Sequence, residues 1–137
     1  MKKANKAMAF GTFDILHPGH IYYLRQAKRK TKSLVVVVAR DVTVKKVKKK
    51  RPVNSERKRA LNLKRLGIAD NVILGNPGDK YRVIEREKPD LLCFGYDQTF
   101  FTERIEEELK KRGISARIVR ISAYKPHIYK SSKMRRY

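Results

Sequence analysis

The chain has 137 residues, enough for one domain with a sheet covered on both faces and too few for two ordinary domains. Its 35 Lys and Arg against 13 Asp and Glu give a formal net charge of +22, which favours polyanionic partners without deciding between nucleotides and nucleic acid. No apolar run reaches bilayer length and none follows the basic start Lys2-Lys3, so neither a membrane span nor a secretory signal is expected. A single cysteine excludes an internal disulfide, and a soluble cytoplasmic protein is the expectation.

Ala7-Met8-Ala9-Phe10 is a short apolar stretch that predicts a first strand, and Ile21 to Lys28 has the apolar spacing of an amphipathic helix. Gly11 to Leu16 is then a strand-to-helix turn. Ser33 to Ala39 is a β-branched run that predicts a strand buried on both faces. The run Lys45, Lys46, Lys48, Lys49, Lys50 and Arg51 reads as a basic loop. Ser55 to Leu66 predicts a helix with Ser55 as N-cap, Ala60, Leu61, Leu63 and Leu66 as its apolar face, and Gly67 as its stop. Further along come a strand at Asn71 to Gly75 and a short helix at Lys80 to Glu87, ended by Pro89. Asp90 to Gly95 is the fourth strand, with Cys93 as a small core residue. A helix at Thr102 to Lys111, capped by Thr102 and closed by Gly113, and a fifth strand at Ala116 to Ile121 complete the pattern. Strands alternating with helices predict an α/β fold: a doubly wound, five-stranded parallel sheet of Rossmann-like type, strand order 3-2-1-4-5, with helices on both faces.

The chemistry concentrates in Gly11-Thr12-Phe13-Asp14-Ile15-Leu16-His17-Pro18-Gly19-His20. His17 and His20 stand i, i+3 at a helix start, so both imidazoles can point one way. Pro18 suits a first helical turn. Gly11 is expected to supply a turn conformation, and Gly19 to leave the helix backbone open to a ligand. Free N–H groups and the positive end of the helix dipole make such a terminus a phosphate site. A plainer alternative has His17 as an N-cap and His20 as a partly buried spacer. In order 3-2-1-4-5 the carboxyl ends of strands one and four are neighbours, so this turn converges with Gly95-Tyr96-Asp97-Gln98 on one crevice.

G-T-F-D followed by H-x-G-H between a strand and a helix resembles the HxGH nucleotidylyltransferase superfamily, whose members transfer a nucleotide monophosphate and release pyrophosphate. Four further stretches add to the resemblance. They are Ala39 to Lys46; Ser55, Glu56 and Arg59; Lys88-Pro89-Asp90 with Gly95-Tyr96-Asp97-Gln98; and Tyr124-Lys125-Pro126 with Lys130-Ser131-Ser132-Lys133. In this order and spacing they look like the archaeal-type FAD synthetase family, from about Ala7 to Met134. The resemblance implies one nucleotidylyltransferase domain over 1–137, with the basic segment 124–137 completing the phosphate site. The substrates it implies are ATP and FMN, with AMP passing to the FMN phosphate to give FAD and pyrophosphate. The alternative is a cytidylyltransferase acting on glycerol-3-phosphate or a similar phospho-alcohol. The arginine–threonine pair before Gly-Ile-Ser-Thr-Thr that ends those enzymes is absent here. Where several FAD synthetases carry a cysteine pair, this chain has His127, Ile128 and Tyr129.

By the same resemblance Thr12, Phe13, His17, Pro18, Gly19 and His20 line the ATP site, with His17 and His20 on the α- and β-phosphates. Such catalysis rests on positioning and electrostatics and needs no nucleophilic side chain. Asp97 is expected to accept from the ribose or base, or else to cap a helix. Tyr124 is expected against the adenine, or else packed on the surface. Lys48 or Lys50 is expected to close over the phosphates, unless the basic run is only a solvated loop. Arg59 is expected to hold the leaving phosphates bidentately. Ser131 and Ser132 are expected to cap a final helix at a phosphate, or else to lie in a plain basic tail. A divalent ion, Mg²⁺ or similar, is expected to be held by the phosphates rather than by a protein-built cage. A homodimer is one candidate assembly, since dimers are common in the superfamily. Nucleic acid is expected to bind only non-specifically, through net charge.

Overall fold

A computed structural model of the chain describes residues 2–96, 98 and 104–123. The elements run β1 (Ala4–Gly11), α1 (Pro18–Arg29), β2 (Thr31–Val38), α2 (Asp41–Lys48), α3 (Glu56–Leu66), β3 (Asn71–Leu74), α4 (Arg82–Glu87), β4 (Leu91–Gly95), α5 (Ile105–Lys111) and β5 (Arg117–Ile121). All four strand pairings are parallel and the order is β3-β2-β1-β4-β5, the arrangement predicted from the sequence.

Period-two alternation along the central strands divides the core into two halves. Ala7, Ala9, Leu34, Val36, Val38, Leu91 and Cys93 face α1 and α3, where Tyr23, Leu24, Ala27 and Leu63 meet them. Met8, Phe10, Val35, Val37, Leu92 and Phe94 face the other way, onto Val83 and Ile84 of α4 and Ile105 and Leu109 of α5. The central strands are buried on both faces, which is why β2 could be read from its unbroken valines alone. Burial pushes the Cys93 thiol up to about 11, so at neutral pH it is an inert core group.

Two expectations need correction, and a third falls outside the described residues. The basic run is not all loop: α2 takes it as far as Lys48, and Lys49 closes the helix in the left-handed region at φ 63°. Three valines and a threonine in eight residues are poor helix formers, which hid this element. What holds α2 is Val44 in the core, Asp41 in its first turn and Lys45, Lys46 and Lys48 in its last, charges that match the helix dipole. Leu61 is 41% exposed and is not part of the α3 apolar face, which rests on Leu63 with Ala60 and Leu66 beside it. Thr102, the expected cap of the last helix, lies outside the described residues.

Most of the described acidic residues are engaged within the fold itself. Asp90 accepts from the N–H groups of Asn5 and Lys6 at 3.0 and 2.8 Å, tying the loop before β4 to the start of β1. Asp70 takes Lys28 and the Leu34 N–H, and Glu87 takes Lys6. Asp79, Glu85 and Glu108 gather on Arg112. These partners hold the carboxyls of Asp70, Asp79, Glu87 and Asp90 below their usual range, against the opposing effect of burial.

Candidate active site

The Gly11–His20 turn leaves the carboxyl end of β1 beside the end of β4, at the point where strand order reverses. Its shape follows from Phe13, which is buried and sits in the left-handed region at φ 54°. The Phe13 ring lies edge-on to His20, with centroids 5.5 Å apart, and stacks near Tyr23. It also explains Gly11, whose backbone is not left-handed: a Cβ there would stand 2.7 Å from the Phe13 ring. Gly11 is therefore required for space, not for an unusual turn conformation.

Helix α1 begins at Pro18 with His17 as its N-cap. The Gly19 N–H donates to His17 Nδ1 at 3.1 Å, and the His17 N–H donates to His20 Nδ1 at 3.3 Å. The two histidines thus form a reciprocal capping box, with imidazoles in the places of the usual hydroxyl and carboxylate. A Cβ on Gly19 would lie 2.9 Å from His17 Cε1, so that glycine makes room for the capping ring. The rings stack at 3.7 Å between centroids.

Capping fixes the tautomer. A neutral imidazole that accepts at Nδ1 carries its proton on Nε2, which gives each ring an Nε2–H donor, and in His20 that donor is also engaged by the Ile15 backbone. Both are held neutral. Burial lowers the pKa of His17, and burial, the neighbouring His17 and the charge of Lys48 push His20 down to about 4. The capping role and the donor role are thus compatible in one geometry. Lys48 enters here as well: from the end of α2 its charge reaches His20 across the turn.

Arg59 has a different place from the one expected. It is fully buried, and its guanidinium is occupied on three sides. Nη1 donates to the Thr12 carbonyl at 2.8 Å, Nε to the Asn54 carbonyl at 3.0 Å, and Nη2 to Asp41 Oδ1 at 2.6 Å. It lies beneath the turn as a strut rather than in the crevice as a phosphate hand. The rest of the strut was not legible in the sequence. Asp14 accepts from the N–H groups of Val53 and Asn54, at 2.7 and 2.8 Å, and its carbonyl takes Asn54 Nδ2. Asp41 and Glu56 exchange backbone-to-carboxylate bonds, and Glu56 pairs with Arg40. The Asp41 carboxyl is lowered because the Arg59 hydrogen bond, the Glu56 N–H and the charges of Arg59 and Arg40 outweigh burial. Asp41, the first-turn acid of α2, was the one local signal for this corner.

On the β4 side stand Gln98, the last residue of the Gly95–Gln98 stretch placed here from the sequence but given no role there, and Arg120, which spacing did not single out. The Gln98 carboxamide bridges the ends of β1 and β4, and Arg120 holds the carbonyls of Gly95 and Gln98. Asp97, Tyr124, Ser131 and Ser132, with the rest of 124–137, lie outside the described residues. Among the described residues no group of three or more His, Cys, Asp or Glu is placed to hold a metal ion, and no helix is long and apolar enough to cross a membrane.

With this geometry in place, the chain can be set beside known proteins. Residues 8–137 match the cytidylyltransferase-like family profile. A FAD synthase of Aciduliprofundum boonei is 45% identical over 119 residues, spanning 87% of this chain and 79% of its own length. A FAD synthase of Thermococcus sibiricus is 43% identical over 135 residues, 97% of this chain and 91% of its own. In structure, a lipopolysaccharide core biosynthesis protein from Thermoplasma volcanium superposes with a TM-score of 0.83 at 42% identity, covering 88% of this chain and 98% of that one. A pantoate-beta-alanine ligase from Francisella tularensis shares the fold alone, with a TM-score of 0.64 at 14% identity over 91% of this chain and 61% of the ligase.

Proposed function

The chain belongs to the cytidylyltransferase-like family, and on that premise we propose that it is a nucleotidyltransferase that adenylylates FMN. ATP and FMN are its substrates, FAD and pyrophosphate its products. The similarity to FAD synthases over nearly the whole chain supports this acceptor. The observation that carries the chemistry is the stacked, neutral, doubly capped pair His17 and His20 at the carboxyl end of β1.

In the proposed reaction an oxygen of the FMN phosphate attacks the α-phosphorus of ATP. A new P–O bond forms as the bond from that phosphorus to the β-phosphate bridging oxygen breaks, and its electron pair leaves with pyrophosphate. The two Nε2–H groups stabilise charge on the five-coordinate transition state and on the departing group. Neutral donors do this without the ground-state grip of a fixed cation. The exposed head of α1 adds its dipole, and the backbone of Thr12 and Phe13, held from below by Arg59, lines the same wall.

Lys48 is assigned as the mobile counter-charge that closes over both phosphoanions, supported by its reach to His20. Asp97 is assigned to the ribose or base, Tyr124 to the adenine, and Ser131 and Ser132 to a phosphate. A divalent ion such as Mg²⁺, held by the phosphates, supplies charge neutralisation when bound. The carboxylates of Asp14 and Asp41 beside the turn are engaged with backbone and Arg59, which fits an ion carried by the nucleotide. We assign the enzyme to the cytoplasm, with a homodimer as its assembly and with nucleic acid attracted only by net charge.

The test is pyrophosphate release from ATP or CTP with FMN, glycerol-3-phosphate or phosphocholine as acceptor. Turnover with ATP and FMN is expected. A protein that ignores FMN and turns over CTP with glycerol-3-phosphate has the alternative activity instead.

A further inference from the structure

The seam between β1 and β4 opens early. Their register ends at Ala9 and Cys93, although β1 stays paired to β2 as far as Gly11 and β4 to β5 as far as Gly95. Beyond that point the Phe10 carbonyl and the Gly95 N–H are joined through Gln98 instead. Its Nε2 donates to the Phe10 carbonyl at 2.8 Å and its Oε1 accepts from the Gly95 N–H at 2.6 Å. One rung below, the Tyr23 hydroxyl accepts from the Phe10 N–H at 3.1 Å and donates to the Cys93 carbonyl at 2.6 Å. A direct rung spans about 2.9 Å, and two hydrogen bonds with an amide between them span roughly twice that or more. The strands therefore part at the switch point, next to His17 and His20.

Gln98 is well anchored for this. Its N–H donates to the Gly95 carbonyl at 3.2 Å, and Arg120 on β5 donates to the carbonyls of both Gly95 and Gln98. The position needs one donor and one acceptor on a planar group. A carboxylate has two acceptors and would face the Phe10 carbonyl with repulsion, and an apolar side chain satisfies neither partner.

We propose that Gln98 is a positioning residue for nucleotide transfer, its carboxamide replacing a rung of the sheet and holding open the β1–β4 cleft in which the nucleotide seats. This rests on the adenylyltransferase reading only for the identity of the occupant. The loss belongs to nucleotide binding rather than to the chemical step, because Gln98 touches neighbouring backbone and not the histidines.

Gln98→Glu, Gln98→Met and the wild-type protein are compared by calorimetric titration with ATP and by steady-state turnover with ATP and FMN. At pH 8 the Glu variant is expected to raise the KM for ATP roughly tenfold, the effect of one buried polar group left unpaired, with kcat within about threefold of wild type. As pH falls, protonation restores a donor and an acceptor to the introduced carboxyl, so its kcat/KM relative to wild type at the same pH climbs. The Met variant shows the loss at every pH. A Glu variant with wild-type KM at pH 8, or with a pH-independent deficit equal to that of the Met variant, overturns the proposal. If the Glu variant does not fold, a Met variant that binds ATP as tightly as wild type overturns it equally. Wild-type protein that binds ATP yet ignores FMN, while the variants lose ATP binding, removes the FMN reading and leaves this one standing. Wild-type protein that binds no nucleotide removes both.

Discussion

The head of α1 and the α2–α3 corner grip the same turn from opposite sides, and they are built on different length scales. At the head of α1 the hydrogen bonds are local: His17, Gly19 and His20 cap one another within three residues. At the corner the contacts are long-range, with Arg59 reaching Thr12 across 47 positions and Asn54 reaching Asp14 across 40. The first region can form its geometry as soon as one helix starts. The second exists only when β1, α2 and α3 have already assembled. Donors for the reaction come from the local region, and the rigidity behind them comes from the distant one.

The sharpest way to separate the two is Arg59→Met. It keeps bulk but strands the Thr12 and Asn54 carbonyls and the Asp41 carboxylate. Removing one partner of a buried ion pair costs about 3–5 kcal/mol, and the lower end is expected here because the Asp41 side chain is 42% exposed and can hydrate. Urea unfolding checks this. Wild-type stability in the variant would mean that the corner does not brace the turn.

The histidines should behave in the opposite sense. His17→Ala or His20→Ala is expected to lower turnover by roughly two orders of magnitude or more, the scale of losing one aimed donor at about 2.7–4 kcal/mol. The stability loss should stay near the value of a helix cap, about 0.5–2 kcal/mol. His17→Asn, which can still cap, should recover stability without recovering turnover. Recovery of both would make these histidines structural.

Acidification offers a gentler comparison. His20 titrates near 6.5 when unfolded and at about 4 in the fold, so between those values the unfolded chain binds more protons. Its contribution to stability is complete above pH 6.5 and is lost as pH falls towards 4. Chemical denaturation at pH 7.5 and 4.5 should therefore show a smaller drop for His20→Ala than for wild type. Equal drops would place the acid sensitivity elsewhere.

The smallest effect is expected from charge alone. Neutralising Lys48 and Lys50 should lower turnover severalfold, while neutralising Lys110 and Lys111 on α5 should leave it near wild type. Equal losses would reduce the +22 to a diffuse field that salt screens over about 8–10 Å. Saturating ATP should also slow tryptic cleavage at Lys49 and Lys50, which follow α2 on the surface.

What was legible in the sequence follows the same division by length scale. Strand order, the α1 head and the α3 caps at Ser55 and Gly67 are written in neighbouring residues, and the structure has them where spacing placed them. Arg59 was misread because spacing shows a cation one turn into a helix but not that the helix is rolled to bury it. Gly11 was identified for the wrong reason, since its neighbour Phe13 occupies the space a side chain would need. Helix α2 was missed because its stability comes from one buried valine and from charges matched to its dipole, not from the propensity of its residues. The Gly95–Gln98 stretch was placed at the crevice, but the task of Gln98 was not legible, since it is set by the distance between two strands.

The inward engagement of the acidic residues has a consequence for how this protein lives in solution. Most of its described carboxylates are engaged by backbone amides, lysines and arginines of the fold, which leaves few of them to offset the many cations on the surface. Dissolved anions are then a component of its thermodynamic state. On the proposed reading phosphate and sulfate are expected to steady the fold while competing with the nucleotide for the head of α1, so affinity and stability are expected to move in opposite directions as the buffer anion is changed.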